Sequence, residues 1–242
     1  MLEVLTDGAR ALGFELSDAQ LVEFERYAHL VLSSRSRAGV TALRTEERIE
    51  QRHFLESLAL ARVLLHERIL DDATPSKAID VGTGAGVPGL PLKILLPRLR
   101  LTLLDARQRT TAFLAELVEA LSITDVEIVT ARAEDTGRDP LYRERFDLVL
   151  ARGLAPLPVL LELTLPFLRV GGHLAAPKGS GAWREIEASR RALELLGGAG
   201  VSSEPLNAPG GLAAQRLVIV EKRAPTPGRY PRRAGIPTKR PL

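Results

Sequence analysis

Residues 78–89 read AIDVGTGAGVPG, and this stretch decides which fold to expect. Apolar residues lead into Asp80, and glycines then alternate at positions 82, 84 and 86. Because glycine has no side chain, its backbone can turn tightly and approach a ligand closely. The pattern predicts a buried strand followed by a loop that holds a nucleoside cofactor.

A second apolar run, residues 101–104, ends in Asp105. This acid comes about twenty residues after the glycines, a spacing at which a carboxylate accepts hydrogen bonds from both ribose hydroxyls. The ends of the two strands therefore each contribute a carboxylate to the predicted cofactor site.

Two cofactors are compatible with this layout. A dinucleotide loop has the pattern GxGxxG, but Val87 stands at the third glycine position, and Gly86 comes one residue early. Pro88 also has no N–H to offer a phosphate. Asp80 would repel a pyrophosphate but attract the ammonium and sulfonium groups of S-adenosylmethionine. The loop favours S-adenosylmethionine, with S-adenosylhomocysteine as product, and leaves a NAD-type oxidoreductase as the alternative.

The sequence around the loop alternates between strand and helix patterns. Apolar runs of strand length lie at 78–81, 101–104, 126–129, 146–150, 173–176 and 217–220. Helical stretches such as 109–121 and 159–168 separate most of them, and glycine-rich turns are expected at 197–200 and 210–211. This alternation predicts an α/β fold with a doubly wound, mostly parallel sheet that binds ligands outside the carboxyl ends of its strands.

Three segments are predicted along the chain. Residues 1–72 have helical patterns, with a C-cap at Gly13, a capping box at Ser17 and Gln20, and a second long helix beginning at Thr45. Residues 73–222 form the cofactor-binding domain. Residues 223–242 form a basic tail, whose five prolines from Pro225 onward exclude a helix and predict an extended path.

Charge and composition limit the possible partners. The chain carries a net charge of +3, yet seven cations and no acid follow position 221, so the tail is either a strip that meets a polyanion or a disordered, solubilising end. The sequence has no cysteine, which excludes disulfides and thiolate zinc sites and fits a cytoplasmic protein. Four scattered histidines predict no metal site, and the absence of a long apolar run predicts no membrane span. A monomer is expected.

Two further segments follow strands. Ala133 and Glu134 come after the third strand, where they either frame an adenine or form a solvated turn. Arg152 comes after the fourth strand, at the usual place of the group that faces the transferred methyl. An arginine at that place can equally pair with a core acid.

Together these residues resemble the bacterial 16S rRNA guanine-N7 methyltransferase G family, also called glucose-inhibited division protein B. The motifs that carry the resemblance are HFLESL at 53–58, DVGTGAGVPGLPLK at 80–93, RAE at 132–134 and YPRRAGIP at 230–237. The chain departs from the family at 39–41, where Gly-Val-Thr replaces Asn-Leu-Thr, and at Glu56, where the family has Asp.

The resemblance implies methyl transfer to N7 of a guanine in the 530 loop of 16S rRNA (guanine 527 in rRNA numbering), as free RNA or in the 30S subunit. It also implies a seven-stranded methyltransferase sheet whose last strand is antiparallel to the others. The donor-binding residues carried over by position are Gly82, Val87, Asp105, Ala106, Arg107, Ala133, Glu134 and Arg152. The loop pattern adds Asp80, Thr83, Gly84 and Gly86, with Thr83 expected to satisfy the loop backbone.

Guanine N7 carries a lone pair and no proton, so its methylation needs no general base. We expect Arg152 to hold the donor, or the guanine O6 or a phosphate, and catalysis to come mostly from alignment. His53, Glu56 and Ser57 share one helix face and form either an interdomain hydrogen-bond cluster or part of a guanine pocket. Aromatic residues are few, which favours phosphate contacts over extensive stacking. The residues expected to bind RNA are His53, Lys178, Arg229, Arg232, Arg233 and Lys239.

Two rival functions remain at this point. A non-catalytic ribosome-assembly factor would tolerate a decayed donor loop, whereas this loop is intact. A small-molecule methyltransferase would have no use for the basic tail.

Overall fold

The computed structural model describes residues 2–212 and 214–242. Within them a single sheet has the strand order β3-β2-β1-β4-β5-β7-β6. The strands are β1 Lys77–Val81, β2 Arg100–Asp105, β3 Val126–Thr130, β4 Phe146–Leu150, β5 Leu168–Lys178, β6 Gly198–Pro205 and β7 Arg216–Lys222. The strands β1 to β5 pair in parallel, while β7 runs antiparallel to both β5 and β6. This confirms the predicted doubly wound methyltransferase sheet and its antiparallel last strand.

The turn predicted at 197–200 is confirmed only at Gly197, which adopts a left-handed conformation, because strand β6 occupies the positions that follow. Gly198 begins the strand, and the pairing register of β6 with β7 shifts between Ala199 and Ser202. Gly200 has a φ of 56° at this irregularity, a conformation that glycine adopts without strain. A bulged edge strand that begins with glycines lacks the apolar run by which the other strands were found.

Helices cover both faces of the sheet. They are α1 Glu3–Ala11, α2 Asp18–Ala38, α3 Glu46–Ile49, α4 Glu56–His66, α5 Gly89–Leu95, α6 Gln108–Ala120, α7 Ala133–Thr136, α8 Leu157–Thr164, α9 Ala182–Ala188, α10 Arg190–Leu196 and α11 Ile236–Lys239. A 3₁₀ turn, Leu165–Phe167, follows α8. The capping box is present, since Ser17 N donates to Gln20 Oε1 at 3.0 Å and Gln20 N to Ser17 Oγ at 3.3 Å. Thr45 caps α3 as predicted.

The helix that begins after Thr45 is not a continuous α-helix. A π-helical turn, Glu50–Leu55, separates α3 from α4 and contains His53. The apolar pattern predicts a helix through this region, but it does not show that the hydrogen bonds of one turn are π-helical. Turns of this kind are frequent at functional sites, since they change the direction of nearby side chains.

The N-terminal helices share a core with one face of the sheet. The rings of Phe24 and Tyr27 on α2 lie 4.8 and 5.1 Å from the ring of Phe54, and all three are fully buried. The same apolar cluster includes Leu101 of β2 and Leu148 of β4. The N-terminal helices therefore pack against the part of the sheet that carries the glycine loop, residues 82–89. The predicted domain boundary at residue 72 stays a prediction.

The tail folds against the sheet domain and is not extended throughout, which corrects the expectation that it contains no helix. Its last residues form α11, with Pro237 in the first turn, where a missing N–H costs nothing. Arg143 donates to the carbonyl of Tyr230 at 2.9 Å, and Arg138 donates to that of Pro231 at 2.7 Å. None of the helices in the described ranges is long and apolar enough to cross a membrane.

Candidate active site

The donor loop, residues 82–89, follows β1 at the carboxyl edge of the sheet. Gly82, Gly84 and Gly86 all have positive φ angles. A Cβ on Gly86 would lie 2.6 Å from Leu90 and 2.9 Å from the hydroxyl of Tyr27, so only glycine fits. The sequence pattern therefore reports a real requirement for close packing of this loop.

Asp80 lies at the base of the donor loop and has no exposed surface. Its Oδ2 accepts hydrogen bonds from Thr83 Oγ1 at 2.8 Å and from Gly89 N at 2.9 Å. Its buried Oδ1 has no partner in the described part of the chain. Burial raises the pKa of this carboxyl to about 6. An unpartnered buried carboxylate oxygen fits the ammonium group of S-adenosylmethionine, which would supply the missing donor.

Asp105 lies at the end of β2, next to β1 in the sheet, and is tied to the donor loop. Its Oδ2 accepts from Gly84 N at 3.2 Å, and its Oδ1 accepts from Arg107 N at 2.9 Å. Ala106, between them in sequence, is exposed. The structure thus brings the two predicted carboxylates to the same edge of the sheet, while their contacts with the donor stay a prediction.

Ala133 and Glu134 begin α7, directly after β3. Glu134 is buried, and its Oε1 accepts a hydrogen bond from Gly235 N in the tail at 2.9 Å. The carboxylate therefore connects the tail to this edge of the sheet. Its contact with an adenine stays a prediction.

Arg152 lies just beyond Leu150 of β4, the register partner of Asp80. Its guanidinium donates to the carbonyl of Arg52 at 2.6 Å and lies 3.0 Å from His53 Nδ1 and 3.5 Å from Glu56 Oε2. Arginine only donates, so His53 Nδ1 accepts, and the ring proton resides on Nε2, 3.1 Å from Thr41 Oγ1. Burial and the charge of Arg152 lower the pKa of His53 to about 3, consistent with a neutral ring.

The Arg152 cluster (Arg152, His53 and Glu56) faces an open cavity of about 740 Å³. Other residues that line the cavity include Val40, Thr41, Arg52, Gly153, Lys178, Leu212 and Gln215. Val40 also approaches the donor loop, because a Cβ on Gly84 would lie 3.8 Å from its carbonyl. The cluster joins the π-helical turn to the end of β4 by hydrogen bonds, as one of the two interpretations of this helix face expects. It also lines this cavity, but its contact with a guanine stays a prediction.

Ser57 does not join this cluster. Its hydroxyl donates to the carbonyl of His53 at 2.5 Å within the helix. Glu56 is held by Arg52 at 2.8 Å and is almost fully buried. Burial raises the pKa of Glu56, and the charges of Arg52 and Arg152 oppose that rise.

The cations predicted to bind RNA lie in different environments. Lys178 is largely buried, with its Nζ 2.7 Å from the carbonyl of Ala155 and 2.9 Å from Glu185. Arg232 forms an ion pair of 2.6 Å with the buried Glu162. Arg229, Arg233 and Lys239 are exposed, and the guanidinium of Arg229 lies 5.1 Å from the ring centre of Tyr230. Three of the five therefore present their charge to solvent.

Sequence reasoning missed one residue of the site. The hydroxyl of Tyr27 on α2 donates to the carbonyl of Ala85 at 2.7 Å, and the side chain is fully buried. A tyrosine on the apolar face of a helix looks like a core residue, and nothing in the sequence indicates which carbonyl it will reach. Over the ranges that the structure describes, no group of three or more acidic or histidine side chains could hold a metal ion.

Comparison with known proteins agrees with this geometry. The family model for rRNA small subunit methyltransferase G matches residues 20–210. The ribosomal RNA small subunit methyltransferase G of Roseiflexus castenholzii is 44% identical to this chain over 97% of both proteins. The protein of the same name from Roseiflexus sp. is 42% identical to this chain over 100% of both proteins. Among solved structures, the CurJ carbon methyltransferase shares the fold, with a TM-score of 0.51 and 14% identity over 70% of this chain and 54% of that one.

The assignment as a methyltransferase rests on the glycine loop, the two carboxylates at the edge of the sheet and the full-length similarity to known enzymes. The methyl donor is S-adenosylmethionine. The chain belongs to the rRNA small subunit methyltransferase G family of S-adenosylmethionine-dependent enzymes.

Proposed function

We propose that this enzyme methylates N7 of a guanine in the 530 loop of 16S rRNA, and that the guanine enters the cavity faced by the Arg152 cluster. The observation that carries the proposal is the position of that cavity. It opens at the carboxyl edge of β4 and β5, beside the glycines of the donor loop. A base in the cavity therefore lies next to a donor bound over Asp80 and Asp105.

The chemistry of N7 matches the groups present. S-adenosylmethionine supplies an electrophilic methyl group, and N7 attacks it without losing a proton. His53 is an unsuitable base in any case, because its lowered pKa leaves the ring a very weak proton acceptor. The cluster instead provides alignment, since His53 and Glu56 fix Arg152 in one orientation.

The position of Arg152 relative to the guanine matters for this reaction. Methylation leaves a positive charge on the guanine, which a cation directly on N7 would oppose. Glu56 lies 3.5 Å from the guanidinium of Arg152 and 2.8 Å from that of Arg52, so it offsets only part of their combined charge. We therefore expect Arg152 to hold O6 or a phosphate and not N7.

RNA as substrate is supported by the exposed cations of the tail, which suit phosphates. We expect the enzyme to act as a monomer in the cytoplasm, on free 16S rRNA or on the 30S subunit. The experiment that tests the proposal also distinguishes between these two substrates.

That experiment supplies labelled S-adenosylmethionine with unmodified 30S subunits and with protein-free 16S rRNA. The methylated nucleotide is then mapped by strand cleavage specific for N7-methylguanine. We expect a single cleavage in the 530 loop. Label at another nucleotide would show that the enzyme methylates a different target. If neither RNA is labelled although S-adenosylhomocysteine binds tightly, the result supports an assembly-factor or small-molecule function instead.

A further inference from the structure

The chain has one tryptophan, and it lies on the surface beside the candidate active site. Trp183 is the second residue of α9, shortly after the end of β5 at Lys178. Its side chain is 56% exposed. Large aromatic side chains gain most from burial, so a ring left this exposed near a binding site indicates contact with a ligand.

A cation is fixed beside this ring. The guanidinium of Arg216 on β7 lies 6.0 Å from the ring centre of Trp183. Arg216 Nε donates to Ser203 Oγ at 2.7 Å, and its Nη2 donates to the Ser203 carbonyl. Both partners are neutral, so Arg216 is held in place while it keeps its positive charge next to the ring.

The ring borders a cavity that adjoins the pocket of the Arg152 cluster. Trp183, Arg216 and the exposed Leu212 line a space of about 570 Å³. Leu212 and Gln215 line both this space and the Arg152 cavity. Leu212 and Gln215 therefore connect the two spaces, and a strand with one base in the Arg152 cavity has a path past them toward Trp183.

We propose that Trp183 stacks on the base of a nucleotide that flanks the target guanine, with Arg216 binding the adjoining phosphate. The inference rests on the proposed function, because it needs RNA in the neighbouring cavity. Single-stranded RNA loops expose unstacked bases, and proteins bind them by pairing aromatic rings with arginine. A flat exposed ring beside an unneutralised guanidinium presents this combination. The site accepts any base, since stacking does not depend on base identity.

Steady-state methyl transfer to unmodified 30S subunits tests the proposal with Trp183→Ala and Trp183→Phe. Loss of one stacked base predicts a KM for RNA that is roughly 5- to 100-fold higher in Trp183→Ala. We expect kcat at saturating RNA, the affinity for S-adenosylhomocysteine and Tm to stay near wild type. Trp183→Phe keeps a ring and should recover most of the affinity.

The matched control is Leu141→Ala. Leu141 is an even more exposed apolar side chain, but it lines a different cavity with Lys77 and Arg100, at the amino ends of β1 and β2. Its removal should leave the KM unchanged. A KM within twofold of wild type in Trp183→Ala overturns the inference, and so does an equal loss in the alanine and phenylalanine variants.

Tryptophan fluorescence gives a direct second measurement, because Trp183 is the one tryptophan in the sequence and accounts for all of the tryptophan emission. Protein-free 16S rRNA contributes no tryptophan signal. When this RNA saturates the enzyme in the presence of S-adenosylhomocysteine, stacking should quench Trp183. An unchanged emission at saturation overturns the inference.

Failure here and failure of the proposed function give different results. If the wild type methylates an unexpected nucleotide, the proposed target is wrong, yet the effect of Trp183→Ala on KM stands. If the wild type methylates N7 in the 530 loop and Trp183→Ala has the same KM, only the stacking site is wrong.

Discussion

The donor loop and the C-terminal tail differ in how their charged side chains are compensated by the protein. At the donor loop, Asp80 is fully buried and keeps one carboxylate oxygen without a partner. In the tail, Arg232 donates four hydrogen bonds to the buried Glu162, three from its side chain and one from its backbone, at 2.6 to 3.1 Å. A buried charge is costly unless it is compensated. Arg232 is therefore already compensated by the protein, whereas the free oxygen of Asp80 has no protein partner, and we propose that the ammonium group of the methyl donor binds there.

The largest effect is expected from breaking the tail pair. Arg232→Met leaves the carboxylate of Glu162 buried without its guanidinium, which should lower the free energy of unfolding by about 3 kcal/mol. Thermal and urea unfolding measure this loss. The exposed neighbour provides the control, and Arg233→Met should change stability by less than about 0.5 kcal/mol. Equal effects of the two substitutions would contradict a structural role for Arg232.

The next effect concerns the donor loop. Asp80→Asn keeps an oxygen for Thr83 and Gly89 but replaces the free carboxylate oxygen with an NH₂ group. The affinity for S-adenosylhomocysteine, measured by calorimetry, should fall about 30-fold, or about 2 kcal/mol.

The pH dependence of the same binding has a defined sign. The pKa of Asp80 is raised to about 6, so the donor-free carboxyl is protonated below that pH and attracts no ammonium. Affinity in the wild type should therefore rise as pH increases through 6, and Asp80→Asn should remove this rise. His53 does not contribute an inflection there, because its pKa is about 3. A wild-type affinity that is flat from pH 5 to 8 would count against this assignment.

A smaller effect is expected at Tyr27. Tyr27→Phe leaves the carbonyl of Ala85 buried without its donor, which should cost about 1 kcal/mol of stability. Tyr142→Phe is the matched control, because its hydroxyl bonds to Glu127 near the surface. Comparable losses in both variants would show that α2 does not support the donor loop through this bond.

The smallest effect is expected from the exposed end of the tail. Arg233→Ala and Lys239→Ala each remove one exposed cation. If each contacts a phosphate, the slope of log affinity against log salt concentration should weaken by about 0.7 per substitution. An unchanged slope in the double variant would mean that the tail does not meet RNA phosphates.

The sequence predicted the turn of the donor loop because the geometry of that turn is local, while the contacts of its residues with the donor stay a prediction. Asp80, Thr83 and Gly89 are close in sequence, and the glycine spacing directly encodes the turn that joins them. The strands of the parallel core were also found, since their apolar runs have a clear length. Because Asp105 ends the strand that follows the donor loop, its position in the sequence was enough to predict that it lies at the same edge of the sheet as Asp80.

The rest depended on long-range contacts that no pattern encodes. The partners of Arg152 lie about a hundred positions earlier, in a π-helical turn that apolar spacing cannot show. The partner of Arg232 is an acid on the buried face of α8. The identity of an arginine thus predicts a charge, but only its neighbours in space decide whether that charge meets substrate.

Arg152→Ala tests whether the Arg152 cluster and the donor loop form one active site. Single-turnover methyl transfer to unmodified 30S subunits, at saturating donor and RNA, is compared with donor affinity and Tm. We expect a rate reduced by roughly 100-fold, about 2.7 kcal/mol, in a folded protein. Unchanged turnover together with unchanged donor affinity would contradict it.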